Sequence, residues 1–447
     1  MGDIKMMNDV IVALATAPME SAIAVIRVSG ENSFELLEKI FDKKIKVEGH
    51  KAYFGNIIND EGIIDEVIVS TFVEPRSFTG ENSFEINCHG GMFVVNKIIQ
   101  TCIKNGARMA NRGEFSKRAY LNGKIDLIQA EAINDMIRAT SEEESKLAVL
   151  SLKGSTSKMI AEVKEKMVSI LSNIEVNIDY PEYDDAEVIT KETAKIKLLE
   201  LRKDIKEIIK DAKLGKIIKD GIKVAIVGKP NVGKSSLLNA LLQEEKAIVT
   251  NIAGTTRDIV EGQVNLDGLK LNLLDTAGIR ESDDCVEKIG IEKSIKTIDN
   301  ADLVLLVLDA ARGLNEEDIQ LMELVKEKNT ITVINKIELN EGCTLDGIKI
   351  SAKNNDISEL KEAIKNKVGY RYNYENKPLI TNTRQIGLLE SSLKNIENGL
   401  KEIEKGVPVD LVTIDLSKAL LDLEDVLGNR SKVNLSEEIF SRFCLGK

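Results

Sequence analysis

Residues 224–239 read Val-Ala-Ile-Val-Gly-Lys-Pro-Asn-Val-Gly-Lys-Ser-Ser-Leu-Leu-Asn, and no other stretch leaves this chain so few ways to fold. Four apolar, β-favouring residues end at Gly228, and a helix-like run begins at Lys234. Gly228 and Gly233 let the backbone wrap a chain of phosphates with its N–H groups inward, at the positive end of the following helix. In such a loop Lys234 reaches the β- and γ-phosphates and the Ser235 hydroxyl ligates Mg²⁺. On this stretch alone, an ordinary Gly-rich strand–helix turn is the plain alternative. Further β-like runs follow at 271–274, 303–308, 330–334 and 347–350, with helical stretches between them. That alternation is what a mostly parallel, doubly wound sheet requires.

Each strand end carries a residue type suited to nucleotide chemistry. Asp275 can hold Mg²⁺ through water, and the segment Asp275-Thr276-Ala277-Gly278 ends on an N–H able to sense a γ-phosphate. In Gly254-Thr255-Thr256 a threonine hydroxyl can join the Mg²⁺ shell and close over the phosphate. Asn335-Lys336-Ile337-Glu338 and Ser351-Ala352-Lys353 complete a base pocket. In order and spacing these five motifs resemble those of the Ras-like GTPases. Two positions depart from the pattern. Glu338 stands where an Asp ordinarily reads guanine N1–H and N2–H₂. Ile279 follows Gly278, where a water-positioning Gln would be expected. Asn231 and residues 250–256 offer oxygens around the β–γ bridge, where a monovalent cation could do the work of an arginine finger. Glu287 is a candidate to orient water, or else a solvated loop carboxylate.

The remaining chain suggests two other domain types. Composition is globular, with 43% hydrophobic and 30% charged residues and no run long enough to span a bilayer. Residues 4–16 are too short and too interrupted to form a signal peptide, so a cytoplasmic protein is expected. Five scattered cysteines read as reduced, mostly inert thiols, and the two histidines exclude a multi-histidine metal site. A net charge of −12 argues against indiscriminate nucleic-acid binding but allows a local basic face. Strands are expected at 10–14, 22–28, 53–58, 66–72 and 84–88, with helices at 33–40 and 93–104. Glu85 falls on the strand face opposite Phe84 and Ile86, toward either solvent or a ligand. His89, before two glycines, reads as a turn residue. Arg108, Arg112, Lys117 and Arg118 could form a basic surface for an anionic ligand or RNA, or a solvated face. Helical periodicity runs through 130–139, 142–152, 157–178, 191–212, 383–404 and 411–427, with a break at Pro181. The fold class expected is multidomain α/β plus all-α. It comprises an N-terminal α+β domain (1–118), a discontinuous helical domain (119–218 and 375–447) and an inserted Ras-like P-loop domain (219–374).

Across its whole length the chain resembles the MnmE (TrmE) family of tRNA-modifying GTPases. The likeness is carried by Arg27-Val-Ser-Gly30, Ser77-Phe-Thr-Gly-Glu81, His89-Gly-Gly91, Arg112-Gly-Glu-Phe-Ser116, Asp126-Leu-Ile-Gln-Ala-Glu-Ala132, the nucleotide motifs and the terminal Phe443-Cys-Leu-Gly-Lys447. The resemblance implies a 5-formyl-tetrahydrofolate site at Arg27, Glu85, Lys124 and Lys447, with Cys444 near the one-carbon donor. It implies GTP contacts from Asn231, Val232, Gly233, Lys234, Ser235 and Ser236. Further GTP contacts would come from Thr250, Asn251, Ile252, Ala253, Gly254, Thr255 and Thr256, from Asp275, Thr276, Ala277 and Gly278, and from the two base-pocket motifs. Mg²⁺ would be held by Ser235 and Thr256, and K⁺ by Asn231, Thr250, Ile252 and Thr255, with Glu287 orienting water. A homodimer whose GTPase domains meet is implied, as is a heterotetramer with the flavin-dependent protein MnmG. The implied product is a carboxymethylaminomethyl or aminomethyl group at C5 of the wobble uridine of certain tRNAs. The competing reading is a ribosome-assembly GTPase that modifies nothing, in which the N-terminal constellation and the terminal Cys-x-Gly-Lys would have no purpose.

Overall fold

The computed structural model describes residues 9–46, 49–179, 191–243, 260–266, 268–274, 297–368, 377–428, 440, 443 and 446. Its contacts divide the chain into two units. One combines Met1–Ile137, Leu150–Arg202 and Ser391–Lys447, and the other combines Arg138–Val149 with Lys203–Glu390.

The first unit begins with a six-stranded sheet in the order β3-β4-β5-β2-β1-β6. Its strands are β1 (Val10–Leu14), β2 (Ser21–Ser29), β3 (Lys51–Asn59), β4 (Gly62–Phe72), β5 (Ser83–Gly90) and β6 (Ala107–Met109). All neighbours are antiparallel except β1 and β6. Alternate residues Ala24, Ile26 and Val28 of β2, and Phe84, Ile86 and Cys88 of β5, turn into one core. There they meet α1 (Ser33–Ile40) and α2 (Met92–Lys104), as the period of two dictates. The alternate residues Arg27 and Glu85 therefore share the opposite face, each partly buried. His89 is not a turn residue: β5 continues through it, paired with Ile23. Asp65 on β4 accepts both its backbone N–H (2.8 Å) and a bond at its ring Nδ1 (2.7 Å). Antiparallel pairing thus carries the strand up to the glycines.

The basic run after residue 104 also differs from expectation. Helix α3 (Glu114–Leu121) turns Arg118 inward, where it bonds Asp9, Glu81 and Glu114. Arg108 bonds Asp9 (2.5 Å) and is clamped by both oxygens of Glu114 (2.5 and 2.8 Å). Two of the four basic residues thus belong to an internal ion network and not to a basic surface. Helices α4 (Leu127–Arg138), α5 (Glu142–Leu152), α6 (Ser155–Asp179) and α7 (Lys191–Asp220) follow. From the far end of the sequence come α11 (Thr383–Glu404) and α12 (Val409–Leu427). Helices α6 and α12 pack on one another across more than half the chain's length in sequence. Buried Ile160, Val163, Met167, Ile170 and Ile174 recur at helical spacing on one, as do Val412, Leu416, Ala419, Leu423 and Val426 on the other. Neither half could bury this stripe alone.

The second unit holds a six-stranded sheet in the order β12-β11-β10-β7-β9-β8. Its strands are β7 (Ile222–Val227), β8 (Val260–Leu266), β9 (Leu269–Leu274), β10 (Leu303–Asp309), β11 (Thr330–Asn335) and β12 (Ile348–Lys349). All pairings are parallel except the β8–β9 hairpin. The helices are α8 (Lys234–Gln243), α9 (Glu316–Leu324) and α10 (Ser358–Lys367). Every residue of β10 is buried, the signature of a central parallel strand covered on both faces. The chain is therefore multidomain α/β plus all-α, as expected from its sequence. Among the described residues no helix is long and apolar enough to cross a membrane. Cys88, Cys102 and Cys343 are free and buried. Burial, aided by Asp65, pushes the Cys88 thiol up to about 11, and burial pushes that of Cys102 to about 12, so both are inert.

Candidate functional site

In the second unit, β7 delivers the chain to Gly228 and α8 takes it away from Lys234, so the loop lies at the carboxyl end of a central strand. Lys234 folds back over the loop and donates to the carbonyls of Gly228 (2.7 Å) and Lys229 (2.8 Å). Burial lowers its pKa. Asn335, at the end of β11, donates from Nδ2 to the Val232 carbonyl (2.9 Å) and accepts the Ala352 N–H at Oδ1 (3.1 Å). One buried amide thus joins the phosphate loop to both base-pocket motifs. Lys336 adopts a left-handed conformation (φ 64°), and its Nζ reaches the Asn231 carbonyl (2.6 Å) and Asp309 Oδ2 (2.8 Å). Because C=O and N–H point to opposite sides of a trans peptide, these donors leave the N–H groups of Val232 and Gly233 facing the other way, where a phosphate would lie.

Gly233 is required twice over. Its φ is +99°, and a Cβ there would run into Asn335 Nδ2. Ser235 and Ser236 are exposed at the start of α8, and Asn231 is exposed in the left-handed region (φ 65°). Glu338 lies in a short 3₁₀ turn after Lys336, and its Oε2 is buried with no hydrogen-bond partner among the described residues. A buried acceptor left without a donor could serve the N1–H and N2–H₂ edge of guanine. Ser351 caps the turn that carries Ala352 and Lys353 by accepting the Asn354 N–H.

Sequence reading missed Asp309, which burial would raise but which the hydrogen bond from Lys336, with the Ala311 N–H, holds below the usual carboxylate range. Its position closing the apolar run of β10 was the available signal. Thr250, Asn251, Ile252, Ala253, Gly254, Thr255, Thr256, Asp275, Thr276, Ala277, Gly278 and Glu287 lie outside the described residues.

In the first unit, Arg27 and Glu85 are direct cross-strand partners, with Arg27 Nε to Glu85 Oε1 at 2.8 Å. The guanidinium lies 5.4 Å from the Phe78 ring centre and 5.6 Å from that of Phe115, and its Nη1 donates to the Gly446 carbonyl at 3.2 Å. The tail thereby reaches the N-terminal sheet. Phe440 and Phe443 pack with Tyr120, Leu127 and Ala130, and Gly446 (φ +87°) sits so close to the Leu14 carbonyl that no Cβ fits. The loop carrying Phe78 is anchored by Ser29, which bonds Thr79 (2.7 Å) and Glu81 (2.8 Å). Burial raises the Glu81 pKa against the pull of Arg118. Lys124 donates to the Pro75 carbonyl of the same loop (2.8 Å). Cys444 and Lys447 lie outside the described residues. Phe78 went unnoticed in sequence as a ring beside Arg27, although its motif was recognised.

A family model described as GTP-binding protein TrmE N-terminus matches residues 10–124, and one described as MnmE helical domain matches residues 127–444. The chain belongs to the MnmE family. It is 44% identical over 449 residues to the tRNA modification GTPase MnmE of Lactococcus lactis subsp. cremoris strain MG1363, covering 98% of each chain. Against the MnmE of Ligilactobacillus salivarius strain UCC118 it is 42% identical over 455 residues, again 98% of each. Against that of Streptococcus sanguinis strain SK36 it is 44% identical over 456 residues, 98% of this chain and 99% of the other. Both MnmE models together span the Arg27–Glu85 face, the phosphate loop and the helices on either side of it.

Proposed function

We propose that this chain couples GTP hydrolysis to modification of the wobble uridine of certain tRNAs, working with an MnmG-type flavoprotein and a tetrahydrofolate one-carbon donor. The coarse activity follows from family membership: it is a GTPase of tRNA modification. The finer reading rests on one observation above the others. The terminal motif reaches the Arg27–Glu85 pair, since Arg27 bonds the Gly446 carbonyl. Arg27 and Lys124, with Lys447, suit the carboxylates of a folate, and Glu85 suits the donor edge of its pterin. Cys444 belongs to the same tail, where a thiol could stand near the one-carbon unit. The division into domains at 118, 218 and 374 belongs to this reading.

In the GTPase domain the loop N–H groups and the Lys234 ammonium bind the β- and γ-phosphates, while Glu338 reads guanine. Phosphoryl transfer to water spreads charge over the γ-oxygens, so catalysis is a matter of positioning and electrostatics. Mg²⁺ at Ser235 and Thr256, and K⁺ at Asn231, Thr250, Ile252 and Thr255, would supply positive charge to the phosphate chain. The exposed Ser235 hydroxyl at the mouth of the loop fits that role. Glu287 orients the attacking water. A homodimer bringing two such domains together across their switch loops would complete the cation site, which would account for Ile279 in place of a catalytic Gln.

The test is calorimetric titration of 5-formyl-tetrahydrofolate into the full chain and into a chain ending at Phe443. Saturable binding that weakens on truncation is expected. Absence of binding to either would overturn the folate reading and favour a GTPase switch without modification activity.

A further inference from the structure

The carbonyls of the phosphate loop are tied down by Lys234, Asn335 and Lys336, but one more tie uses a side chain to which nucleotide chemistry gives no task. Lys229, the second residue of the loop, reaches Asp318 Oδ2 at 2.6 Å. The two side chains are 17% and 3% exposed, so the pair lies inside the unit and not on its rim. Asp318 stands in the first turn of α9. There its Oδ2 also accepts the Asn315 N–H (3.1 Å), while the Asn315 side chain accepts the Asp318 N–H (3.1 Å). These two bonds close a capping box, and they satisfy the helix start without any lysine. Asp318 Oδ1 is buried with no hydrogen-bond partner, and Lys229 is the one cation paired with this carboxylate among the described residues. A helix cap therefore carries a buried carboxylate beyond its own needs, and the cation that answers it comes from the phosphate loop.

The backbone of Lys229 has a second duty. Its carbonyl is one of the two that hold Lys234 Nζ, at 2.8 Å. Pro230 follows, with its φ fixed by the ring, so the leading limb of the loop has little freedom once the Lys229 side chain is anchored. Fixing that side chain fixes the peptide on which the phosphate-binding lysine rests.

We propose that Lys229 and Asp318 form a strut that holds the leading limb of the phosphate loop against the start of α9, and so slows the release of bound guanine nucleotide. Lys229 is a positioning residue that acts through the loop backbone and Lys234. The strut presupposes that this loop binds GTP and GDP.

Asp318→Asn in the full chain separates the strut from the cap, because the amide oxygen still accepts the Asn315 N–H while the ion pair is lost. Stopped-flow release of fluorescent GDP from this variant is expected to be about tenfold faster than from wild type. That is the low end of what a hydrogen bond between charged groups contributes, the amide oxygen leaving Lys229 a neutral acceptor in place of the carboxylate. Lys229→Met leaves a buried carboxylate uncompensated and could unfold the unit for that reason alone. The double variant K229M/D318N removes both charges, and it should release GDP no faster than Asp318→Asn alone. Lys229→Arg, which keeps the pair, should retain slow release. Wild-type release rates in Asp318→Asn would overturn the strut. So would a double variant that releases GDP markedly faster than Asp318→Asn alone, since Lys229 would then act apart from Asp318. A wild-type chain that retains no GDP would instead overturn the nucleotide reading on which the strut rests.

Discussion

Lys234 is held by two loop carbonyls, a position from which its ammonium needs only a small swing to meet phosphate oxygens. Lys234→Ala should weaken GTP binding about a hundredfold, as expected for losing a buried charged donor, and titration with a fluorescent GTP analogue reads this directly. Glu338 has the opposite problem, its Oε2 being a buried acceptor that no group satisfies among the described residues. Glu338→Gln replaces one acceptor by a donor that faces the guanine N–H edge. GTP should lose about tenfold or more against ATP in competition binding, and an unchanged ratio would remove Glu338 from base reading. The motif Asn335-Lys336-Ile337-Glu338 is what pointed to Glu338 as a candidate base-reading position. That its Oε2 is buried, with no partner among the described residues, was not legible, because burial depends on how the turn packs.

At the scale of elements, the end of β11 holds three motifs together. Asn335 bonds the Val232 carbonyl of the phosphate loop and the Ala352 N–H of the second base-pocket motif. Asn335→Ala breaks both bonds and leaves buried groups unsatisfied, a loss of about 2–3 kcal/mol. A lower thermal midpoint together with weaker GTP binding is the expected result. The neighbouring Lys336–Asp309 pair adds a pH dependence whose sign is fixed. The carboxyl is held below its ordinary value of 3.8 in the folded protein. Its stabilising contribution is therefore present above pH 3.8 and is lost as pH falls through the lower folded value. The stability difference between wild type and Asp309→Asn, followed by denaturation from pH 7 downward, should stay level and then shrink only below about pH 4. Elements with a clean period were readable with their ends: α1 and α11 run over 33–40 and 383–404 as expected. Helix α7 continues to Asp220 beyond the expected 212, because Leu214, Ile217 and Ile218 keep the spacing through a lysine-rich stretch. His89 shows the reverse case, in which a turn-like sequence is overridden by pairing with β2.

For the whole molecule, the decisive contact joins residues at opposite ends of the sequence, Arg27 and Gly446. Gly446 fits only as glycine, so Gly446→Ala should displace the tail while leaving every charged group of the proposed folate site in the chain. Weaker binding of 5-formyl-tetrahydrofolate, with GTP binding intact, is the expected outcome, and unchanged folate binding would separate the tail from that site. GTP hydrolysis should run faster in KCl than in NaCl, and equal rates would remove the cation from the mechanism. Local sequence determined most of the strands and helices and the strand–loop–helix course around Gly228–Lys234, since period, glycine placement and residue type are properties of short stretches. The tertiary structure alone decided that Arg108 and Arg118 serve an internal ion network, that α6 and α12 share one core, and that Gly446 reaches β2. Those outcomes depend on which distant surfaces are buried together, and burial is set by the packing of the whole chain and not by any window of it.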